Sequence, residues 1–339
     1  MMEMFTVPMN VSSFNETQTS SSEKNFIDAT IYYMVLFLMS VGVPGNVAAV
    51  VVMLKMKVRT PAVLAVAYMA LFDSFALISK SISYGLEYEK VDFGVIGCKL
   101  YYVPVVACSS IANWTLVLIC AERFISVTFP WKRSQIIKFR YLHKTVIAIT
   151  VVLSIYFTIH FCVFFEWVDG KCRIVNSYLA YRFIRQAVST LSPLILIIIC
   201  TVSVMRKVSF SKVNRNITMQ TKLSRRKLEA FMSRIMITTA ILFFVLNIPY
   251  IVCVSILWPA LDFTRRLDIV ILINISYFLR DSSHALNFYI YVISAKGFRK
   301  QFFLIIKEFL FKEKKKRDAS IALGARFNQC SILKRASKL

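Results

Sequence analysis

Charge is scarce in this 339-residue chain: Asp, Glu, Lys and Arg make up 18% of it, against roughly 25% in soluble proteins. Histidine occurs only at 143, 160 and 284, and the eight glycines are scattered. There is no HExxH pair, no glycine-rich phosphate loop and no CxxC pair. The common signatures of metalloprotease, nucleotide-binding and thiol-redox chemistry are therefore missing, and no enzyme activity is expected. Internal repeats and paired broken helices, the marks of many transporters, are missing too. Residues 1–30 are polar and rich in Ser, Thr and Asn. They lack the basic and apolar regions of a cleavable signal peptide, so the first apolar stretch is expected to act as the targeting signal.

Apolar residues, in contrast, make up 57% of the chain, and mean hydropathy is +0.62. A soluble fold of this size could not hide that surface. Apolar stretches recur at 31–54, 61–84, 97–126, 142–165, 180–205, 231–258 and 268–293, each long enough for a helix that crosses a membrane. The expected fold is all-α, a bundle of seven transmembrane helices. The formal charge is +24, and 31 of the 42 basic residues fall in 55–60, 123–144, 206–234 and 296–339. These are alternate connections and the tail, which the positive-inside rule places in the cytoplasm. The basicity thus reflects topology, and nucleic acid is not an expected partner.

The pattern divides the chain into an outer tail at 1–30, a seven-span domain at 31–295, an amphipathic helix at 296–311 and a basic cytoplasmic tail at 312–339. The tail carries the sequons Asn10-Val11-Ser12 and Asn15-Glu16-Thr17, which are expected to be glycosylated on the outer side. In the amphipathic segment, Phe298, Phe302, Ile305, Ile306 and Phe309 recur at helical spacing among Lys296, Arg299, Lys300 and Lys307. That pattern suits a helix lying on the inner membrane surface against anionic lipid.

Certain residues recur in a fixed order along the spans. They are Gly45-Asn46; Leu71-Phe72-Asp73; Cys98, with Arg123 25 residues later in Glu122-Arg123-Phe124; and Pro130 seven residues beyond that. Pro193 and Pro249 follow, with Phe243 six residues before the latter, and then Asn287-Phe288-Tyr289-Ile290-Tyr291. In order and spacing, residues 31–310 resemble the rhodopsin-like family of G-protein-coupled receptors. The Asn247-Ile248-Pro249 and Asn287-to-Tyr291 variants look like those of invertebrate FMRFamide-type neuropeptide receptors.

The resemblance implies a multi-pass plasma-membrane receptor, amino end outside and carboxyl end inside. It would bind an extracellular ligand and activate a heterotrimeric G protein, with arrestin and receptor kinases as further partners. It implies a disulfide between Cys98 and Cys172 and a Glu122–Arg123 pair that latches the resting state. Pro249 would be the pivot of span six, and Phe243, Asn287 and Tyr291 parts of the switch. A sodium ion would sit at Asp73, whose mid-span carboxylate is costly without a functional role. Ala112, Asn247 and His284 depart from the usual surroundings of that ion. An Asp73–His284 hydrogen bond, which would make activation pH-sensitive, is the rival reading. Thr201 and Phe288 replace the usual Tyr and Pro.

Val105 stands where amine receptors carry an Asp, and Asp281 where opsins carry a Lys, so neither an amine nor retinal is expected. The outer cavity is expected to hold Glu87, Val105, Arg185, Gln186, Asn247, Tyr250, Tyr277 and Asp281, a polar set of mixed sign that suits a peptide. Asp281 would pair with a basic ligand group, or else with an internal partner such as Arg185. A chemosensory receptor for a small non-amine ligand is the second reading, and a transporter or channel the third. The third inner loop is expected at about 206–230.

Overall fold

A computed structural model of the chain describes residues 21–56, 60–89, 91, 94–129, 139–168, 171–174, 178–213, 220–257 and 267–312. Among them run helices α1 (Ser21–Lys55), α2 (Pro61–Tyr88), α3 (Gly94–Leu100), α4 (Val103–Thr128) and α5 (Phe139–Phe164). Strands β1 (Phe165–Val168) and β2 (Lys171–Ile174) follow, then α6 (Tyr178–Gln186), a π-helical turn (Ala187–Leu191) and α7 (Ser192–Val213). Last come α8 (Gln220–Ile251), which runs into a second π-helical segment (Val252–Leu257), then α9 (Leu267–Ser294) and α10 at 296–312.

Six stretches are long and apolar enough to cross a membrane: Phe26–Lys55, Pro61–Leu86, Gly94–Thr128, Arg140–Phe164, Phe183–Lys207 and Phe231–Val254. Helix α9 is not among them. It carries Ser276, Arg280, Asp281, Ser282, Ser283, His284 and Asn287, and all of these except Arg280 are buried. This is the most polar of the spans, and it turns that polarity into the bundle, packed against α8, α1 and α2. The lipid side is apolar: on α5, Ile147, Val151, Val152, Ile155 and Ile159 lie exposed along one stripe. In water that stripe would be a liability; against lipid it needs no cover.

The structure departs from the sequence reading at four places. Helix α1 begins at Ser21, so the last ten residues of the expected outer tail are helical. Helices α7 and α8 extend to Val213 and from Gln220, so most of the expected third inner loop is helix. A short antiparallel hairpin pairs Glu166 with Arg173 and Trp167 with Cys172. Span three is interrupted between α3 and α4, where Pro104 sits in the first turn of α4. Proline suits a helix start and cannot continue one from upstream. Asn10 and Asn15, and the side chains of Glu87 and Cys172, lie outside the described residues.

Packing is closest where side chains are smallest. A Cβ added at Gly42 of α1 would stand 2.8 Å from the Ala285 Cβ of α9. At Gly45 it would stand 3.2 Å from Phe288. Phe288, in place of a proline, packs its ring against Phe298 and Phe302 of α10, with centroids 5.8 and 5.2 Å away. One side of α10 is thereby tied to the bundle, while Phe303, Phe309, Leu310 and Phe311 stay exposed.

Candidate functional site

Three buried polar groups occupy successive depths of the bundle. At one end, Glu122 accepts a hydrogen bond from Arg123 Nε at 2.5 Å and another from Ser126 Oγ at 3.1 Å. Both charged side chains are buried. The pair therefore holds the guanidinium at the end of α4, away from any cavity that would open there.

Near mid-span, Asp73 of α2 meets α9. Its Oδ1 lies 2.7 Å from His284 Nδ1, and its Oδ2 accepts from Asn287 Nδ2 at 2.8 Å. Asn46 of α1 donates to the His284 carbonyl at 3.0 Å, which ties three spans through one point. A small cavity with room for about one water adjoins this cluster and is lined by Ala112, Asn113, Thr239, Phe243 and others. Tyr291 is fully buried one turn below Asn287, beside Thr239.

The third group lies eleven residues before Tyr291 on α9, roughly 16 Å along the helix. Lys80 Nζ is 2.6 Å from Asp281 Oδ1. Arg280 Nε and Nη2 reach the same oxygen, each at 2.9 Å. The guanidinium carbon stands 4.4 Å from the Tyr250 ring centroid and 4.8 Å from that of Tyr277, the range of a cation–π contact. Asp281, Tyr250 and Tyr277 thus come together around Arg280.

Between these depths, α4 props the bend in span five. Pro193 has no N–H, so the carbonyls of Val188 and Ser189 lose their helical donors. Ser192 N reaches back to the Ala187 carbonyl, five residues away, in the π-helical turn. Trp114 Nε1 donates to Val188 at 3.1 Å and Asn113 Nδ2 to Ser189 at 2.9 Å.

Residues 45–291 match the model of the 7-transmembrane receptor family, rhodopsin family. The chain belongs to that family. It is a membrane-spanning receptor and no enzyme. No curated protein matches it closely enough to narrow the assignment.

The site residues of this receptor are only partly as the sequence suggested. Asp281 does not wait for a basic ligand group, and its internal partner is not Arg185: Lys80 and Arg280 already hold it. Asn247 is 1% exposed and donates to the Phe243 carbonyl, so it braces α8 just before Pro249. Arg185 and Gln186 are buried at the end of α6, with the Arg185 guanidinium 5.4 Å from the Tyr181 ring centroid. Val105 is half-buried on α4. The surroundings of Asp73 do not suit sodium. Both carboxylate oxygens are engaged by His284 and Asn287, Ala112 offers a methyl group, and Asn113 is turned to Ser189. The Asp73–His284 contact is the arrangement present.

Lys80 and Arg280 were missed. An ionisable side chain inside a span is a functional candidate by default. Lys80 is the one basic residue in the stretch 61–84, so that rule applied to it as much as to Asp73.

Proposed function

We propose that this chain is a receptor for an extracellular neuropeptide that activates heterotrimeric G proteins, of a kind close to the FMRFamide-type receptors. The observation that carries the reading is the buried Glu122–Arg123 pair at the end of α4, set in the same bundle as the Asp281 cluster. A ligand that engages the outer cluster and shifts α8 against α9 changes the walls of the central cavity. The receptor then exchanges one set of buried contacts for another, which is how a ligand with differential affinity moves a two-state equilibrium. Pro249 lies inside α8 and is followed directly by a π-helical segment, so this helix has a built-in weak point for such a shift.

The distribution of basic residues supports an amino end outside and a tail inside. Asn10 and Asn15 then carry glycans, and arrestin and receptor kinases act on the inner face. A Cys98–Cys172 bridge ties α3 to the hairpin: Cys98 is buried with its Sγ 3.6 Å from the Glu166 carbonyl, one strand from Cys172.

The test is guanine-nucleotide exchange on G proteins in membranes carrying the receptor, challenged with a neuropeptide library, with Arg123→Ala as the control. Potent exchange that disappears in the control supports the reading. Exchange that persists with Arg123→Ala, or silence at confirmed surface expression, rejects it.

A further inference from the structure

Helix α10 carries more apolar surface than one contact can cover. Phe298 is fully buried, and Phe298 and Phe302 pack on Phe288 of α9. Beyond them Phe303, Leu304, Phe309, Leu310 and Phe311 are between 45% and 63% exposed. At about 100° per residue, Phe309, Phe303 and Leu310 continue round from the bundle-facing edge over about a third of the circumference. A membrane laid along the helix covers that arc. Leu304 and Phe311 point roughly 150° away from Phe309 and fall on the far side.

That far side is the charged one. Leu304 and Phe311 stand seven residues apart, two turns along one stripe, with Lys300 and Lys307 on one flank and Glu308 on the other. Lys307 Nζ lies 5.7 Å from the Phe311 ring centroid, within reach of a cation–π contact. Glu308 is taken up by Lys55 of α1 at 3.5 Å. A single exposed apolar residue is ordinary. A heptad-spaced pair beneath lysines is instead the pattern of a basic amphipathic helix that a protein groove receives. Nine of the residues in 296–317 are Lys or Arg and two are Glu, so the matching groove is acidic.

We propose that α10 is a docking helix for an acidic cytoplasmic protein with an apolar, helix-receiving groove, of the kind that a calcium-loaded EF-hand sensor exposes. Such grooves are rich in methionine, which adapts to mixed Leu and Phe anchors, and they open when calcium binds. Leu304 and Phe311 are the anchors, and Lys300 and Lys307 meet the acidic rim. Phe298 and Phe302 stay on Phe288, so the partner takes the outer side of the helix without unpacking it from the bundle. The proposal needs the carboxyl end in the cytoplasm and is independent of agonist and G protein.

The experiment is titration of the purified full-length receptor with calmodulin as the probe, in calcium or in chelator. The receptor is held in discs of neutral lipid and in discs containing anionic lipid. Calcium-dependent binding with a Kd of about 1 μM or tighter is expected. Leu304→Ser combined with Phe311→Ser should weaken it about ten- to a hundredfold and, because both side chains are exposed, leave the melting temperature unchanged. Lys300→Glu combined with Lys307→Glu should also weaken it and flatten its dependence on salt. No binding in calcium, equal binding in chelator, or binding undiminished by the Leu304→Ser and Phe311→Ser pair overturns the proposal. In the first case, added tryptophan fluorescence from Phe311→Trp that brominated lipid quenches would assign the stripe to the membrane instead. The readout uses neither agonist nor nucleotide exchange, so silence in the exchange assay leaves this result standing, and failure here leaves the receptor reading standing.

Discussion

Replacing Asn113 with Ala probes the link between α4 and the bend of span five. The Asn113 amide donates to the Ser189 carbonyl at 2.9 Å, a group left without a helical donor by Pro193. Orphaning a buried carbonyl costs about 1–3 kcal/mol, but hydrogen bonds between membrane helices average nearer 0.6 kcal/mol, with a maximum near 1.7. A loss of about 1 kcal/mol is expected, roughly a fivefold shift toward the unfolded state. Restoring the N–H with Pro193→Ala supplies a donor to the same carbonyls, so the double variant should recover most of the loss. The assay is thermal unfolding of detergent-purified receptor, followed by thiol-reactive dye at the buried Cys120 and Cys253. A double variant whose loss is the sum of the two single losses would show that the sites are independent, and the capping argument would be wrong.

Gly42→Val should lower surface expression and melting temperature, by about 1–3 kcal/mol of overpacking. Even the first added carbon would stand 2.5 Å from Leu77 Cδ1 and 2.8 Å from Ala285 Cβ, and a fully folded Gly42→Val receptor would refute the close approach of α1 and α9. Asp281→Asn should be far more damaging than Lys80→Met when both are ranked by thermal unfolding. The first strands the buried Lys80 and leaves the partly exposed Arg280 without its carboxylate, at about 3–5 kcal/mol, whereas the second leaves Arg280 paired with Asp281; equal losses would contradict the shared carboxylate.

Much of the fold is legible because a membrane leaves few choices. Backbone groups in lipid must be satisfied within each span, so long apolar stretches become helices and the basic connections report their direction. Where local signals were weak, the reading failed for physical reasons. The hairpin strands are four residues each, too short for a period to show, although Asp169-Gly170 between them is a dipeptide typical of tight hairpins. Helices α7 and α8 outrun their apolar stretches because polar, basic sequence is also good helix former once it leaves the membrane.

The site was legible residue by residue but not as pairs. A carboxylate within a span announces itself, and Asp73 and Asp281 were both found that way. Their partners depend on how α2 and α9 are rotated about their axes, which spacing along one helix does not determine. On α9, Asp281 and His284 lie three residues apart, one turn of a helix, and both face α2. There Asp281 meets Lys80 and His284 meets Asp73, seven residues apart on α2, which is two turns. Two contacts on the same pair of helices make either assignment depend on the other. Arg280 then turns aside to Tyr250 and Tyr277, since adjacent helical residues diverge by about 100°. The pairing at the outer site therefore emerges only when the helices are docked. One acid seen alone suggests a cationic ligand, and the same acid shared by a lysine and an arginine is already paired inside the bundle.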